Sequence, residues 1–379
     1  MKVAFCLFKY FPYGGLQRDF YRIAAVCHSR GYDVIVYTLS WESEIPSWLR
    51  LKIVPVKALR NHLLDQKFYR WVKSDLDQNP VDCIFGMNKM QGLDIYYAAD
   101  SCYIAKSHEQ RGALYRLGAR YKHFVASERA VFGDASNTQI LLISETEKNK
   151  FIHYYGTAES RLTLLPPGIS PDRRVANNSG LERARIRQKH HLSEDDKLIL
   201  FIGSGFIKKG LDRAFYALAA LPNDLKNKTH LFIIGKDKVQ RFKKLAIKLG
   251  IADRVVFLGG SDEVPSYMQA GDLLLHPAYD EAAGIVLVES IVAGLPALVT
   301  ANCGYAQHIA KADSGIVLPS PFSQQALNNN LLKMLTSANC SQWRNNGLRY
   351  AASEDLYSLP EKAVDAIEHF VGGSATWKP

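Results

Sequence analysis

The stretch LILFIGSGFIKKGLD, residues 198–212, decides the fold of this chain. Its apolar run Leu198–Ile202 predicts a buried strand, the glycines after it predict a turn, and helical spacing begins at Leu211. A buried strand that leads through a glycine turn into a helix is the repeating unit of parallel α/β folds. The stretch VAFCLFKYFPYGGL, residues 3–16, has the same order, so both halves of the chain open in the same way.

Apolar runs that predict buried strands recur along the chain and alternate with segments of helical periodicity. In the first half these runs are Val3–Phe8, Val34–Thr38, Ile53–Val56, Cys83–Gly86, Ile95–Ala98 and Ile140–Ile143. In the second half they are Leu198–Ile202, Leu231–Ile234, Val255–Leu258, Leu273–Leu275, Ala297–Thr300 and Ile316–Leu318. The predicted helices include Leu16–Ser29, Leu211–Leu221 and Phe242–Leu249.

The pattern pauses from Pro166 to Gly180, which predicts a linker between two domains. A length of 379 residues also suits two domains. We therefore predict an α/β fold of two doubly wound, Rossmann-like domains, residues 1–168 and 169–352, facing each other across a cleft. The remaining residues, 353–379, are predicted to begin a C-terminal helix at Asp355–Ala363 and to cross back to the first domain.

Composition narrows the class of protein. Hydrophobic residues make up 47% and charged residues 22%, which excludes a disordered chain, a collagen-like repeat and a small disulfide scaffold. The 47 Lys and Arg against 37 Asp and Glu give a net charge of +10, which indicates an anionic partner. Six scattered cysteines without a Cys-x-x-Cys pair argue against a zinc site. No apolar stretch has the pattern of a signal peptide or a membrane span.

Two loops have the composition of phosphate-binding loops. Gly14 and Gly15 lie between the first strand and its helix, where the free N–H groups of a helix N-terminus attract phosphate. Lys208 and Lys209 lie in the corresponding loop of the second half, where an ammonium group can stabilise a leaving diphosphate. The alternatives are a tight turn without a ligand and a solvated pair of surface lysines.

Two glutamates, Glu281 and Glu289, lie eight residues apart among small and apolar residues. Glu281 falls in the loop after the strand Leu273–Leu275. Glu289 falls in an apolar helix, where a carboxylate is costly unless it has partners. Paired sugar hydroxyls are suitable partners because they donate hydrogen bonds. The alternative for Glu289 is an internal hydrogen bond from the backbone or an arginine.

These features, in this order, resemble the retaining glycosyltransferases of family 4, which have the GT-B fold. Glu281 and Glu289 match the E-x7-E motif of that family. Lys208 and Lys209 match its basic pair, although arginine is common at the first position. The likeness covers nearly the whole chain and is greatest to the members that build the lipopolysaccharide core. It is carried further by residues 9–20, 165–173, 276–289 and 355–363.

The resemblance implies a role for each matching residue. Glu281 would bind hydroxyls of the donor sugar and Glu289 those of the ribose. Lys209, with Lys208, would neutralise the diphosphate. Asp100 would orient the acceptor or act as a base, although a strand-end cap is an equal alternative. Asp19 would lie near Asp100 on the acceptor side. The other substrate- or donor-binding residues implied are Gly14, Gly15, Arg173, Ala283, Gly284 and Ile285.

The resemblance also implies the substrates. A hexose, glucose from UDP-glucose, would be transferred with retention to an inner-core heptose. The acceptor would be a lipid A-linked core oligosaccharide at the cytoplasmic face of the inner membrane of a Gram-negative bacterium. We expect a monomer that needs no cofactor and no metal ion. Asp75-Leu76-Asp77 fits a metal-binding Asp-x-Asp pattern, but it ends an amphipathic segment, so we interpret it as a solvated helix end.

Residues 103–132 carry much of the positive charge of the first half. Apolar residues at helical spacing, from Leu114 to Val125, predict a basic amphipathic helix that lies on an anionic membrane. The cations expected at that surface are Lys106, Arg111, Arg116, Arg120 and Lys122. The alternative is an ordinary helix that packs its apolar stripe onto the domain.

Other classes of function stay open from the sequence. A nucleic-acid-binding protein would explain the charge, but it leaves Glu281, Glu289 and the glycine loops unexplained, and no nucleic-acid motif is present. A different UDP-sugar-dependent transferase of family 4, a sugar phosphorylase or a nucleotide-sugar epimerase would share the fold. Because galactose differs from glucose at one centre, the sequence does not identify the donor hexose.

Overall fold

The structure is a computed structural model that describes residues 1–12, 14–170, 173 and 179–373. The chain divides into two compact units. Unit 1 is Met1–Gly168 with Ser358–Pro379, and unit 2 is Ile169–Tyr357. Tyr13 of the first glycine loop, the last six residues, and residues 171–172 and 174–178 of the predicted linker lie outside the described residues.

Unit 1 is built on a parallel sheet. Its strands are β1 (Lys2–Cys6), β2 (Lys9–Tyr10), β3 (Asp33–Thr38), β4 (Ser40–Trp41), β5 (Leu49–Ile53), β6 (Cys83–Gly86), β7 (Ile95–Ala98), β8 (Gln139–Leu142) and β9 (Leu162–Leu164). Within the described residues the sheet has seven strands in the order β5-β3-β1-β6-β7-β8-β9, and β2 pairs separately with β4. Val3 of β1 aligns with Val34 of β3 and with Cys83 of β6, all three fully or almost fully buried.

Helices cover this sheet. They are α1 (Gly15–Ser29), α2 (Asn61–Gln78), α3 (Tyr103–Gln110), α4 (Ala119–Phe132) and α5 (Glu145–Tyr155), with 3-10 turns at Ala113–Leu117 and Glu159–Arg161. Helix α1 buries Phe20, Ile23, Ala24 and Cys27, which is the i, i+3, i+4, i+7 pattern of a helix with one apolar face.

Unit 2 has a second parallel sheet. Its strands are β10 (Lys197–Ile202), β11 (Thr229–Ile234), β12 (Val255–Gly259), β13 (Leu273–His276), β14 (Ala297–Thr300) and β15 (Gly315–Leu318), in the order β12-β11-β10-β13-β14-β15. Its helices are α6 (Ser179–Lys189), α7 (Leu211–Ala219), α8 (Asn223–Lys226), α9 (Gln240–Lys248), α10 (Val264–Ala270), α11 (Ile285–Val292), α12 (Ala306–Ala312), α13 (Gln324–Thr336) and α14 (Cys340–Ser353), with a 3-10 turn at Ala252–Arg254.

The last helix, α15 (Leu359–Val371), follows unit 2 in the chain but packs on α1 in unit 1. Its buried face includes Leu359, Val364 and Ile367. An ion pair between Arg30 and Asp365, 2.8 Å apart, borders this contact.

Both sheets have the doubly wound strand order, so the predicted pair of Rossmann-like α/β domains is confirmed. In each sheet the chain adds strands on one side of its first strand and then continues on the other side of that strand. In unit 1 this switch point lies between β1 and β6, and in unit 2 it lies between β10 and β13. Ligands of open α/β sheets bind at the carboxyl ends of the strands at such a point.

Two predictions about elements were wrong. The strand placed at Ile53–Val56 is Leu49–Ile53, where apolar and polar residues alternate because this strand lies at the sheet edge. Residues 103–132 do not form one amphipathic helix. They form α3, a 3-10 turn and α4, separated by extended backbone at Gly112 and Gly118. Every helix in the described ranges is too short or too polar to cross a membrane.

Candidate active site

Two loops of unit 2 meet at the switch point of its sheet. One follows β10 and contains Lys208 and Lys209, and the other follows β13 and contains Glu281. The backbone N–H of Tyr279 donates to the carbonyl of Lys208 at 2.8 Å. The guanidinium of Arg213, from α7, donates to the carbonyls of Pro277 and Ala278 at 3.2 and 3.1 Å. These bonds fix the two loops against each other.

Two glycines of the β10 loop allow this close approach. Gly203 has φ +125°, and a Cβ there would lie 2.8 Å from Cε of Lys209, so the lysine stem lies directly over the glycine. Gly210 has φ +75°, and a Cβ there would clash with the carbonyl oxygen of Pro277. Both positions therefore need glycine on conformational and steric grounds.

Lys209 and Glu281 form an ion pair between Nζ and Oε2, with only 16% and 17% of their side chains exposed. Burial alone would raise the pKa of Glu281, but the neighbouring His276 and Lys209 outweigh burial and lower that pKa to about 2. The carboxylate is therefore ionised at every physiological pH. The pair brings together the two residues that the sequence predicted to bind diphosphate and sugar.

The backbone on both sides of Glu281 is held by the loop after β14. The N–H of Glu281 donates to Asn302 at 3.1 Å, and the carbonyl of Glu281 accepts from Gly304 at 3.0 Å. The carbonyl of Ala283 accepts from Tyr305 at 2.7 Å. Gly284 then takes φ +82° and begins α11 at Ile285. Ala283, Gly284 and Ile285 thus form the turn that leads from Glu281 into the helix.

Glu289 lies in the second turn of α11 and is 8% exposed. Its Oε1 lies 3.6 Å from Nε of Arg173. Glu289 therefore has the arginine partner that the sequence left open as an alternative to sugar hydroxyls. Arg173 is itself one of the residues that the resemblance implies for donor binding. Lys208 is more exposed than Lys209, and its Nζ lies 3.8 Å from Asp280.

The remaining predicted residues lie in unit 1. Gly14 precedes α1 and Gly15 begins it, with open space around the position of a Gly15 Cβ. Asp19, one turn further on, accepts a hydrogen bond from the hydroxyl of Tyr97 at 2.8 Å. Burial raises the pKa of Asp19 to about 6, although Tyr97 and two arginines of α1 oppose the shift.

Asp100 lies just beyond β7 at the carboxyl edge of the sheet and is exposed. The segment after it is anchored by Glu128, which is fully buried. Its carboxylate accepts from the N–H groups of Tyr103 and Ile104 at 2.9 and 3.1 Å and pairs with Lys89 at 2.5 Å. Lys89 also donates to the carbonyl of Ser101 at 3.1 Å, so the backbone next to Asp100 is fixed.

The basic residues of 103–132 are spread over the three helical pieces. Leu114 and Leu117, on the 3-10 turn, are 84% and 70% exposed. Arg111, Arg120 and Lys122 are exposed as well. Lys106 and Arg116 are half-buried. The surface therefore combines exposed leucines with cations, although it is not the single helix that was predicted.

The Asp-x-Asp pattern lies in the last turns of α2, as predicted. Asp75 accepts from the hydroxyl of Tyr37 at 2.6 Å and pairs with Lys52 at 2.5 Å. Asp77 pairs with Lys73 at 2.8 Å. Both aspartates are thus engaged in contacts that fix α2.

Known protein families match both halves of the chain. The family model described as Glycosyltransferase Family 4 matches residues 13–173, and the model described as Glycosyl transferases group 1 matches residues 182–350. The lipopolysaccharide glucosyltransferase WaaG of Escherichia coli is 49% identical over 97% of this chain and 98% of its own length. This chain belongs to the family-4 glycosyltransferases.

Solved structures agree with the fold of this family-4 glycosyltransferase. The crystal structure of WaaG, a glycosyltransferase involved in lipopolysaccharide biosynthesis, matches with a TM-score of 0.90 over 96% of this chain and 99% of that one. The structure of Anabaena HepE in complex with UDP-glucose matches at 15% identity with a TM-score of 0.73, over 97% and 99% of the two chains. The fold is therefore GT-B.

No role was predicted from the sequence for one polar residue of this glycosyltransferase site, although the residue begins the stretch 276–289. His276, the last residue of β13, is fully buried, and its Nε2 lies 3.8 Å from Oε2 of Glu281. It was hidden because it directly continues an apolar strand. The signal available was a histidine at the carboxyl end of a strand at the switch point, where ligands of open α/β sheets bind.

Proposed function

We propose that this chain transfers glucose from UDP-glucose to an inner-core heptose of a lipid A-linked lipopolysaccharide acceptor, with retention of configuration. The observation that carries the proposal is the buried Lys209–Glu281 pair at the switch point of unit 2. A cation for a diphosphate and a carboxylate for sugar hydroxyls lie side by side there. The 49% identity to a lipopolysaccharide glucosyltransferase supports the same donor and acceptor class.

The proposed mechanism is electrostatic. Lys209, with Lys208 and Arg173, stabilises the charge that develops on the leaving UDP as its bond to the anomeric carbon breaks. The acceptor hydroxyl bonds to that carbon on the same face and gives its proton to the leaving phosphate. Glu281 holds the hexose and Glu289 the ribose through their hydroxyls. Asp100, with Asp19 nearby, orients the acceptor, and backbone groups at Gly14, Gly15 and around Ala283–Ile285 hold the phosphate and the sugar. No metal ion or cofactor takes part in this scheme.

The direct test is turnover on a heptose-terminated core acceptor. UDP-glucose should be used faster than UDP-galactose or UDP-N-acetylglucosamine, and the product should carry an α-linked glucose. Lys209→Met and Glu281→Gln should each lower kcat/KM by about 10²–10³-fold, the usual loss when one preorganised electrostatic group is removed. Lys238→Ala, an exposed lysine of the same unit, is the matched control and should keep the wild-type rate.

Other outcomes would point to other functions. Interconversion of UDP-hexoses without an acceptor would indicate an epimerase, and thermal stabilisation by oligonucleotides but not by UDP-sugars would indicate a nucleic-acid-binding protein. Activity lost in excess EDTA and restored by Mn²⁺ would contradict the metal-independent mechanism.

We further propose that residues 103–132 attach the enzyme to the anionic cytoplasmic face of the inner membrane. Exposed Leu114 and Leu117 can enter the interface while the surrounding cations contact anionic headgroups. Changing Lys106, Arg111, Arg116, Arg120 and Lys122 to glutamine should weaken binding to phosphatidylglycerol-containing vesicles by at least tenfold, because each basic residue near such a surface contributes about 1 kcal/mol.

The control for this membrane proposal removes the same charge elsewhere. The exposed basic residues around α9 are Lys238, Arg241, Lys243, Lys244 and Lys248. Changing these five to glutamine should leave vesicle binding nearly unchanged. Equal weakening by both sets would show that only net charge matters, and it would remove the assignment to residues 103–132.

A further inference from the structure

His276 is a fully buried polar side chain next to the Lys209–Glu281 pair. The residue is 0% exposed, and neither ring nitrogen has a hydrogen-bond partner within the described part of the chain. Its ring lies beside Phe201, with centroids 6.4 Å apart and an angle of 25° between the planes. An unsatisfied buried polar group is destabilising, so native proteins keep such groups mainly where function requires them.

A charged group beside the ring indicates what His276 does. Nε2 lies 3.8 Å from Oε2 of Glu281, the same oxygen that pairs with Lys209. That separation is longer than a hydrogen bond, but a movement of about 1 Å would bring it into the usual N–H···O range. Burial lowers the pKa of His276, so the imidazole is neutral at physiological pH and carries one N–H donor.

We propose that His276 is a positioning residue for Glu281 that becomes its hydrogen-bond donor when the nucleotide sugar binds. This inference rests on the proposed function, in which Lys209 binds the diphosphate and Glu281 binds the hexose. The diphosphate carries more charge than one carboxylate, and the flexible lysine stem allows Nζ to turn towards it. Glu281 then loses its cation in a largely buried site.

An N–H donor from His276 would replace Lys209 as the hydrogen-bond partner of Glu281. A carboxylate without a partner in a buried site either takes up a proton or rotates away. An N–H from His276 keeps Glu281 ionised and aims its second oxygen at the sugar hydroxyls. At 3.8 Å the N–H of His276 forms no hydrogen bond with Glu281 in the free enzyme, so it is available when Lys209 turns to the diphosphate.

The test compares the binding of UDP-glucose with the binding of UDP, because in the proposed function Glu281 contacts the hexose and no part of the UDP. His276→Leu should lower kcat/KM and weaken UDP-glucose binding by about 10- to 100-fold, the loss expected for one hydrogen bond to a charged group. The affinity for UDP should stay within about twofold of the wild type. His276→Gln should recover part of the loss, because its amide can supply an N–H near Nε2. In a Glu281→Gln background, His276→Leu should add little, since the two residues act as a unit.

His230 is the matched control, because it is another strand histidine of unit 2 whose Nε2 lies 3.8 Å from a carboxylate, that of Asp196. His230→Leu should change neither UDP-glucose binding nor turnover. Equal loss of UDP and UDP-glucose binding in His276→Leu, or wild-type values for both, would overturn the positioning role. A wild-type enzyme that fails to use UDP-glucose would instead overturn the proposed function, and the two failures are therefore distinguishable.

Discussion

At the scale of single residues, Asp19 on α1 shows how burial shifts the pKa of an ionisable group. Its pKa is raised from 3.8 to about 6 by burial in spite of the Tyr97 hydrogen bond. Between these two values the folded chain holds a proton that the unfolded chain has lost. The free energy of unfolding therefore falls as pH rises through this window, and the full penalty is present above pH 6.

Asp19→Asn should remove this penalty, because an amide keeps the acceptor for Tyr97 but has no charge to bury. We expect the variant to be more stable than the wild type by about 1–2 kcal/mol near pH 8 and by almost nothing near pH 4, with partial solvent exposure allowed for. Urea unfolding at several pH values measures the difference. A gain that is the same at every pH would contradict the titration of Asp19 as its cause.

Some residues of the candidate site could be predicted from the sequence, and others could not. Lys209 and Glu281 were singled out because charged groups after buried strands are conspicuous. Their pairing was not predicted, since it depends on bonds such as that from Tyr279 to Lys208, which join loops about seventy residues apart in the chain. No role was predicted for His276, because a single polar residue at the end of an apolar strand does not change the apolar pattern.

At the scale of elements, Gly210 is one of the two glycines on which the turn from β10 into α7 depends. Gly210 has φ +75° and lies against the Pro277 carbonyl, whereas Gly250 has φ +67° with nothing within 4 Å of a Cβ. Gly250→Ala should cost about 1 kcal/mol, the conformational penalty alone. Gly210→Ala adds a clash with backbone, so it should cost at least 1 kcal/mol more.

The two glycine variants should also differ in function. A shift of the β10 loop moves Lys209 away from Glu281, so Gly210→Ala should weaken UDP binding at least tenfold while Gly250→Ala leaves it unchanged. Calorimetric titration with UDP, beside denaturant unfolding of both variants, measures this. Equal binding by the two variants would show that the loop contact with Pro277 does not position the lysine.

Elements were predictable where burial dominates and were misplaced where other forces act. Fully buried strands such as β10 and β14 were found to within a residue or two. β9 was missed because its three residues, Leu162–Leu164, are half-buried at the sheet edge. In residues 103–132 the apolar spacing favoured one helix, but Gly112 and Gly118 adopt extended backbone and interrupt it. Sequence periodicity does not reveal which glycine ends a helix.

At the scale of the whole molecule, the chain uses the same doubly wound design twice. Each unit has a buried lysine–glutamate pair whose lysine follows a strand of the switch point, Lys89–Glu128 in unit 1 and Lys209–Glu281 in unit 2. The net charge of +10 also acquires separate uses in the proposed function. In that proposal Lys208, Lys209 and Arg173 would bind a diphosphate, and the cations of residues 103–132 would bind a membrane. The linear order of the chain does not coincide with its units, because α15 is made last and belongs to unit 1.

Because α15 belongs to unit 1, we expect it to stabilise unit 1 and not unit 2. Ile367 of α15 is fully buried, whereas Val371 on the same helix is 40% exposed. Ile367→Ala should destabilise by about 2–4 kcal/mol, because it opens a cavity where α15 packs within unit 1, and Val371→Ala should cost about 0.5 kcal/mol or less. Hydrogen exchange should become faster in α1 and β1 of Ile367→Ala, while β10 and β13 keep wild-type protection and UDP still binds. Faster exchange in β10 and β13 to the same extent would show that the two units unfold as one, and it would contradict the assignment of α15 to unit 1 alone.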